Sequence, residues 1–440
     1  MAIKLTGLSS QNPWWRNKNW EKEDADIGKI ESVFHRKTID VGKVTIVRGM
    51  RRIGKTVYAK ILIKKSIESG VEPRKILYIS CDRYSPKEIK NIIQEFLMRY
   101  DEGYLFLDEI TYVNGWNKII KELAEQNKIT IFATGSNPIE IKKYSERLPG
   151  RGVEGNEYYM NPLSFREFLE NTTDIKIPSM NPFSPEVDDA IPYFDKIQKK
   201  FYEYIFTGGF PSAVNDYMKF EKIGDEKLEM VIRLILGTLS KEGKSEEVIR
   251  EIMEKIMNSG TGRTDYLSIG TDIGIHHNTV MDYLETMESG RAIYVLKAWD
   301  LSKKKHSPRR QKKVIFQSSL IPIALHRYIE GGNWDDTLDF VDRNMEWLVE
   351  STVSSHIIWS EEKPVMKEKH SFAGFFYNSK ECDLVILKNR KFYGFETKYG
   401  KVKKARYPFT PVYISRDTLD KDVIPASLFL AGIQKNEKSL

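Results

Sequence analysis

Cysteine is almost missing from this sequence: Cys81 and Cys382 stand far apart, and neither belongs to a CxxC pair. That excludes a disulfide framework and a zinc knuckle. No apolar run approaches the roughly 20 residues of a membrane helix. The start, MAIKLTGLSSQNPWW, lacks the apolar core of a signal peptide. The reading is a cytoplasmic protein with no membrane partner, and no internal repeat is visible. A dominant charge is missing too: 69 Lys/Arg against 62 Asp/Glu leave +7 over 440 residues, a weak statement about partners. What is there is a globular balance, 40% hydrophobic and 30% charged, which excludes a disordered chain. The length exceeds one compact core, so about two to four domains are expected.

Charge sharpens locally. LSKKKHSPRRQKK, Leu301 to Lys313, holds seven Lys/Arg and no acid. Such a run suits a phosphate backbone, and it equally suits a solvated loop. From Val44 onward, the apolar runs VTIVRG, ILYIS, YLFLDE and ITIFATGS alternate with amphipathic stretches. That is the pattern of an α/β fold with a parallel sheet. A Pro/Asn/Ser-rich connection, Ile175 to Phe194, interrupts it, and mostly helical sequence follows to about residue 255. Asp265 to Leu296 fits helix, turn, helix, with Gly274 near the turn, His276 to Glu288 as the second helix and a hairpin from Ala292. That second helix begins with His276, His277, Asn278 and Thr279, which suit DNA. It continues with Asp282, Glu285 and Glu288, which do not, so DNA docking and a purely structural module both stay open.

Gly49-Met-Arg-Arg-Ile-Gly54-Lys55-Thr56 is a complete G-x4-G-K-[ST] motif between a β-branched run and an amphipathic helix. In such a P-loop the glycines let backbone N–H groups curl around phosphates at a helix N-terminus. Lys55 would reach the β- and γ-phosphates of ATP, Thr56 would ligate Mg²⁺, and Arg51 and Arg52 belong to the same loop. The run YLFLDE then supplies Asp108 as a metal-binding acid and Glu109 as general base for the attacking water. One further run, ILYIS, falls between the two motifs, as in P-loop enzymes that hydrolyse ATP with their own glutamate. After ITIFATGSN, one of Thr134, Ser136 or Asn137 would sit beside the γ-phosphate. Arg151 or Arg147 would neutralise transition-state charge, in cis or across a subunit boundary.

Together QNPWW, RGMRRIGKT, LFLDEITYVNGW, ATGSN, LPGR, PLSFREFLE and TGGFP resemble one group, and the likeness spans most of the chain. It is the AAA-like P-loop ATPases of archaea and bacteria that carry an uncharacterised C-terminal domain. The resemblance implies a P-loop NTPase (AAA-like) parallel sheet core, a helical lid, a winged helix and a C-terminal endonuclease-like α/β domain. The corresponding boundaries are 1–170, 171–250, 251–300 and 301–440. Family members often carry an aspartate after the strand that follows the basic run; Gln317 stands there in this chain.

Near the C-terminus the chain reads ECDLVILKNRKFYGFETK, Glu381 to Lys398. A tight turn at Asn389-Arg390 would set Asp383 opposite Glu396 at a Cβ separation of roughly 4.5–5.5 Å. Lys398 would project from the same face. Opposed like charges need compensation, which a divalent cation would supply. The pattern resembles the restriction-endonuclease-like site Asp…Glu-x-Lys, in which the acids bind Mg²⁺ and the lysine helps the attacking water. Glu350, in EWLVEST, sits where that family often adds a helical glutamate. Three downstream roles compete: a DNA-acting enzyme using the winged helix and the 301–313 run, a switch that binds a protein partner, and a remodelling homo-oligomer.

Overall fold

Apolar runs of β-branched and aromatic residues become the strands of a parallel sheet. In the computed structural model, residues 5–22, 24, 27, 36–125, 129–136, 156–307, 311–362, 372–400, 402 and 404–440 are described. Asn137, Arg147 and Arg151 lie outside them. The chain forms two compact units, one built on residues up to Asn161 and the other on those from Pro162 onward.

The first unit holds strands β1 (Val44–Arg48), β2 (Ile76–Ser80), β3 (Gly103–Asp108), β4 (Ile129–Gly135) and β5 (Glu157–Tyr159). Their order is β2-β3-β4-β1-β5, and every pairing is parallel. Helices α1 (Lys55–Glu68), α2 (Pro86–Arg99) and α3 (Trp116–Glu125) lie among the crossovers. The α2 start shows why it forms where it does: Ser85 and Glu88 make a reciprocal capping box, with Pro86 next. A layer of Ile46, Leu77, Ile79, Leu105, Leu107, Ile131 and Ala133 packs on Ile92, Phe96, Ile120 and Trp116. Because β4 lies between β1 and β3, the C-terminal ends of those three strands meet at one edge.

β2 is an edge strand, and QNPWW covers it. Asn12 exchanges hydrogen bonds with the Tyr78 backbone at 2.7 and 3.0 Å. Gln11 accepts from Ser80 N at 3.0 Å, and both Trp14 and Trp15 donate to Ile76 O. These side chains satisfy backbone groups that an open edge would offer to another chain.

The second unit begins with α4 (Phe165–Thr172), α5 (Phe194–Thr207), α6 (Pro211–Phe220), α7 (Asp225–Lys241) and α8 (Glu246–Ser259). PLSFREFLE and TGGFP, distant in sequence, meet there. Leu163 N donates to Gly209 O at 2.8 Å, and Tyr204 donates its hydroxyl proton to Leu163 O at 2.7 Å. Gly209 has φ 74°, and a Cβ there would stand 2.1 Å from Leu163 O. Only glycine permits that approach. Phe165 N donates to His356 Nε2 at 2.9 Å, and His356 Nδ1 donates to Thr352 O at 2.7 Å.

Burial keeps that imidazole neutral, its pKa pushed down from 6.5 to about 3. A protonated Nε2 would lose its bond from Phe165. Between those values the unfolded chain binds a proton that the folded chain refuses, so stability falls as pH drops below about 6.5. Going to pH 5 is expected to cost about 2 kcal/mol through this one group. Urea denaturation of wild type and His356→Gln at pH 7.5 and 5 checks it, because the wild-type loss should exceed the variant's by that amount.

Helices α9 (Tyr266–Ile273) and α10 (His277–Ser289) follow, separated by Gly274 at φ 73°. A mixed sheet comes next: β6 (Arg263–Thr264), β7 (Ile293–Asp300), β8 (Lys305–His306), β9 (Lys312–Phe316), β10 (Ala373–Asn378), β11 (Lys380–Lys388), β12 (Lys391–Lys398), β13 (Pro411–Ser415) and β14 (Val423–Pro425). Its order is β14-β13-β12-β11-β10-β7-β9-β6, with β8 beside β7. Against it lie α12 (Trp334–Glu361) and α13 (Ala426–Gly432), and α11 (Leu320–Glu330) packs on α12 and α7. The boundary expected at residue 300 therefore falls at the end of β7, inside one continuous sheet.

The basic run needs a correction. It is not one solvated loop, because Lys312 and Lys313 belong to β9, and Lys313 is 1% exposed. The contiguous apolar run Val314-Ile315-Phe316 that follows carries those lysines into the sheet. Lys303, Lys304 and Lys305 remain exposed.

Candidate functional site

The loop after β1 closes on its own lysine. Gly49 must be glycine, since a Cβ would meet Met160 O at 2.4 Å. Gly54 stands immediately before α1. The Lys55 ammonium is bonded to Gly49 O at 3.1 Å, Met50 O at 2.8 Å and Ser136 Oγ at 2.6 Å, with Glu109 Oε1 at 3.4 Å. Burial lowers its pKa, while Glu109 and Asp108 pull the other way. Arg51 and Arg52 are exposed on the loop; the Arg51 guanidinium lies 4.9 Å from the Tyr112 ring centroid, and Arg52 has φ 64°.

Asp108, at the end of β3, is held on both oxygens. Thr56 and Tyr78 donate to Oδ2 at 2.7 and 2.8 Å, and Thr134 donates to Oδ1 at 2.5 Å. Glu109 adopts the left-handed region at φ 53°. Such a conformation in a non-glycine residue is strained, and strained residues are enriched at functional sites. Its N–H donates to Thr134 Oγ1 at 2.9 Å, and its carboxylate accepts from Ser136 N at 3.1 Å and from the Ser136 hydroxyl. The sheet thus brings together Lys55, Thr56, Asp108, Glu109 and Ser136.

Tyr78 escaped the sequence reading, and Thr134 fixes the carboxylate of Asp108. A tyrosine in an apolar strand usually signals core. Only the neighbouring register of β2 and β3, which pairs Ser80 with Asp108, brings its hydroxyl to the acid.

A second constellation lies in the second unit. Asn389 and Arg390 both have positive φ, 49° and 62°, as a type I′ turn requires. The hairpin register pairs Lys388 with Lys391 and Leu384 with Phe395. Asp383 and Glu396, one step further, are both buried. Lys398 contacts Glu396 Oε1 at 2.8 Å and Asp383 Oδ2 at 3.7 Å.

Glu350, on α12, joins this cluster through a residue that was read as part of the basic run. Lys313 Nζ contacts Glu350 Oε1 at 2.8 Å, Glu381 Oε1 at 2.7 Å and Asp383 Oδ1 at 3.1 Å. Thr261 donates to Glu350 Oε2 at 2.7 Å, and Arg263 pairs with Glu381 at 2.7 Å. Burial and Asp383 push the Glu350 carboxyl up to about 7. Burial and Asp383 also raise Glu396. Burial alone would lower the Lys313 pKa, but Glu350, Asp383 and Glu381 more than offset it, and the net shift is well upward. Among the described residues, no group of three or more His, Cys, Asp or Glu is arranged to hold a metal ion. Among them, too, no helix is long and apolar enough to cross a membrane.

Known proteins resemble this chain in its parts. Residues 41–169 match the family described as AAA domain, and residues 198–324 match a domain of unknown function, DUF8612. The uncharacterized protein MJ1637 of Methanocaldococcus jannaschii is 26% identical over 338 residues, covering 70% of this chain and 67% of that protein. An uncharacterized protein of Haemophilus influenzae is 24% identical, covering 68% of this chain and 73% of its own. Among solved structures, the RuvB Holliday junction branch migration motor of Thermotoga maritima overlaps with a TM-score of 0.31 at 15% identity, across 67% of this chain and 90% of that one. So low an overlap carries no weight here. The parallel order of the first sheet, the P-loop geometry and the match over residues 41–169 agree: this chain carries an AAA-like ATPase domain of the P-loop class.

Proposed function

We propose that this chain is a Mg²⁺-dependent ATP hydrolase associated with DNA, in which nucleotide state is coupled to the nuclease-like C-terminal region. The observation that carries the ATPase part is one hydrogen-bond network joining the P-loop to the ends of β3 and β4. It runs from Thr56 through Asp108 to Thr134, and from Lys55 through Ser136 to Glu109. The Thr56 hydroxyl and the Asp108 carboxylate, already 2.7 Å apart, form the oxygen donor pair that suits Mg²⁺. Bound there, the ion would neutralise charge developing on the β- and γ-phosphate oxygens.

Lys55 exchanges the loop carbonyls for phosphate oxygens, and Arg51 and Arg52 add positive charge at the rim. Glu109 takes the proton of the attacking water, and Ser136 holds that carboxylate in place. Arg151 or Arg147 would add positive charge for the transition state, in cis or from a second copy in a homo-oligomer.

DNA association rests on α9 and α10 with strands β6, β7 and β9, read as a winged helix. His276, His277 and Asn278 are exposed at the start of α10, and Lys303 to Lys305 are exposed nearby in sequence. The catalytic reading of Asp383, Glu396 and Lys398, with Glu350 as a further metal ligand, is favoured by their convergence on one cluster. The alternative, an ATP-driven switch on a protein partner with an inactive nuclease-like scaffold, is favoured by Lys313 standing among the same carboxylates.

Phosphate release with ATP and Mg²⁺, run beside cleavage of supercoiled, nicked and linear DNA, tests both parts. Wild type should hydrolyse ATP, and Lys55→Ala should neither bind nor hydrolyse it. DNA cutting that disappears in Asp383→Ala would establish the nuclease. Hydrolysis with no cutting under any condition would leave the switch.

A further inference from the structure

The carboxylates of the C-terminal cluster are already bridged by ammonium groups. Lys313 joins Glu350, Glu381 and Asp383 at 2.7–3.1 Å, and Lys398 joins Asp383 to Glu396. With Arg263 on Glu381, the cations Lys313, Lys398 and Arg263 face the carboxylates of Glu350, Glu381, Asp383 and Glu396. Lys313 is not a surface residue that wandered in. Its side chain is 2% exposed, it is anchored in β9, and β9 is paired on both sides, with β6 and β7.

A divalent ion shared by Glu350 and Asp383 would need the oxygens, Oε1 and Oδ1, that Lys313 now holds. The two cations would compete for the same oxygens, and their repulsion at a few ångströms in a buried site opposes holding both. Lys398 also touches Asp383 and Glu396, but its side chain is 39% exposed and has water to move into, whereas that of Lys313 is 2% exposed. Yet Glu396 Oε2 is buried and makes no hydrogen bond of good geometry, although the Tyr407 hydroxyl lies beside this carboxylate.

We propose that Lys313 is a built-in cation that keeps divalent metal out of this cluster, and that withdrawing it opens a metal site formed by Glu350, Asp383 and Glu396. The inference rests on the carboxylates of the nuclease reading but not on cleavage, and no part of it rests on the ATPase. In the wild-type cluster three cations face four carboxylates, and Lys313 alone touches three of the four.

Mn²⁺ binding, followed by electron paramagnetic resonance without nucleotide, tests this. Wild type and Asp383→Asn should bind Mn²⁺ identically, since any ion at the P-loop is common to both. Lys313→Met, which keeps the chain's length and removes the charge, should gain one ion per chain. Lys313→Met/Asp383→Asn should lose that ion, and Lys313→Arg should not gain it. If circular dichroism shows Lys313→Met unfolded, Lys313→Gln takes its place. Asp383-dependent Mn²⁺ binding by wild type overturns the proposal, and so does a folded Lys313→Met or Lys313→Gln that gains no ion. A gained ion without DNA cleavage would sink the nuclease reading and leave this one standing.

Discussion

Glu109→Gln should lower ATP turnover by about 10²–10⁴-fold, the usual contribution of a positioned general base. The substitution is isosteric, and an amide oxygen can still accept from the Ser136 backbone N–H that holds the carboxylate at 3.1 Å. The loss is therefore chemical and not architectural. Binding should not suffer. Lys55 is now drawn partly toward the Glu109 carboxylate at 3.4 Å, and removing that charge leaves the ammonium freer for phosphate. The expected signature is a fall in kcat with unchanged or tighter ATP binding, which means an interaction made only in the transition state has gone. Phosphate release and equilibrium binding of a fluorescent ATP analogue read the two quantities separately. Turnover retained within about threefold of wild type would place the base elsewhere.

The largest stability effect is expected at Arg291. Its guanidinium meets both oxygens of Glu362, at 3.1 and 2.7 Å, and both side chains are 5% exposed. Arg291 lies between α10 and β7, and Glu362 directly follows α12, so one bidentate pair ties the helix-turn-helix to the sheet's long helix. Removing one partner of a buried pair leaves the other charge desolvated and unmatched, at a cost of about 3–5 kcal/mol. Arg291→Met should lose that much in urea denaturation. Arg291→Met/Glu362→Met should recover part of it, since replacing both charges with apolar groups is far less costly. A double variant no more stable than the single would mean that the geometry of the pair, and not the orphaned carboxylate, carries the effect.

Some motifs that marked the family likeness turn out to have structural roles. QNPWW satisfies the open edge of β2, and LSFREF with GGFP forms a backbone junction closed at Gly209. Asn12 of QNPWW also holds the backbone of Tyr78, whose hydroxyl donates to Asp108. These motifs therefore describe how the units are built, and the proposed ATP chemistry rests on the P-loop and the Asp108-Glu109 pair.

The P-loop, the acid pair after an apolar strand, the helix-turn-helix and the tight hairpin turn were all legible in the chain itself. Each is a local signal: a run of contiguous residues whose spacing and composition state both conformation and chemistry. What only the tertiary structure decided is non-local. Tyr78 looks like core until the β2–β3 register carries its hydroxyl to Asp108. Lys313 looks like one more charge in a basic run, because linear sequence counts it with Lys303 to Lys305. In the folded chain β9 is an interior strand, and a lysine on it must find carboxylates or bear the full cost of desolvation. It finds Glu350 on α12 and Glu381 and Asp383 on β11, partners far from it in sequence that only the folded second unit brings to it.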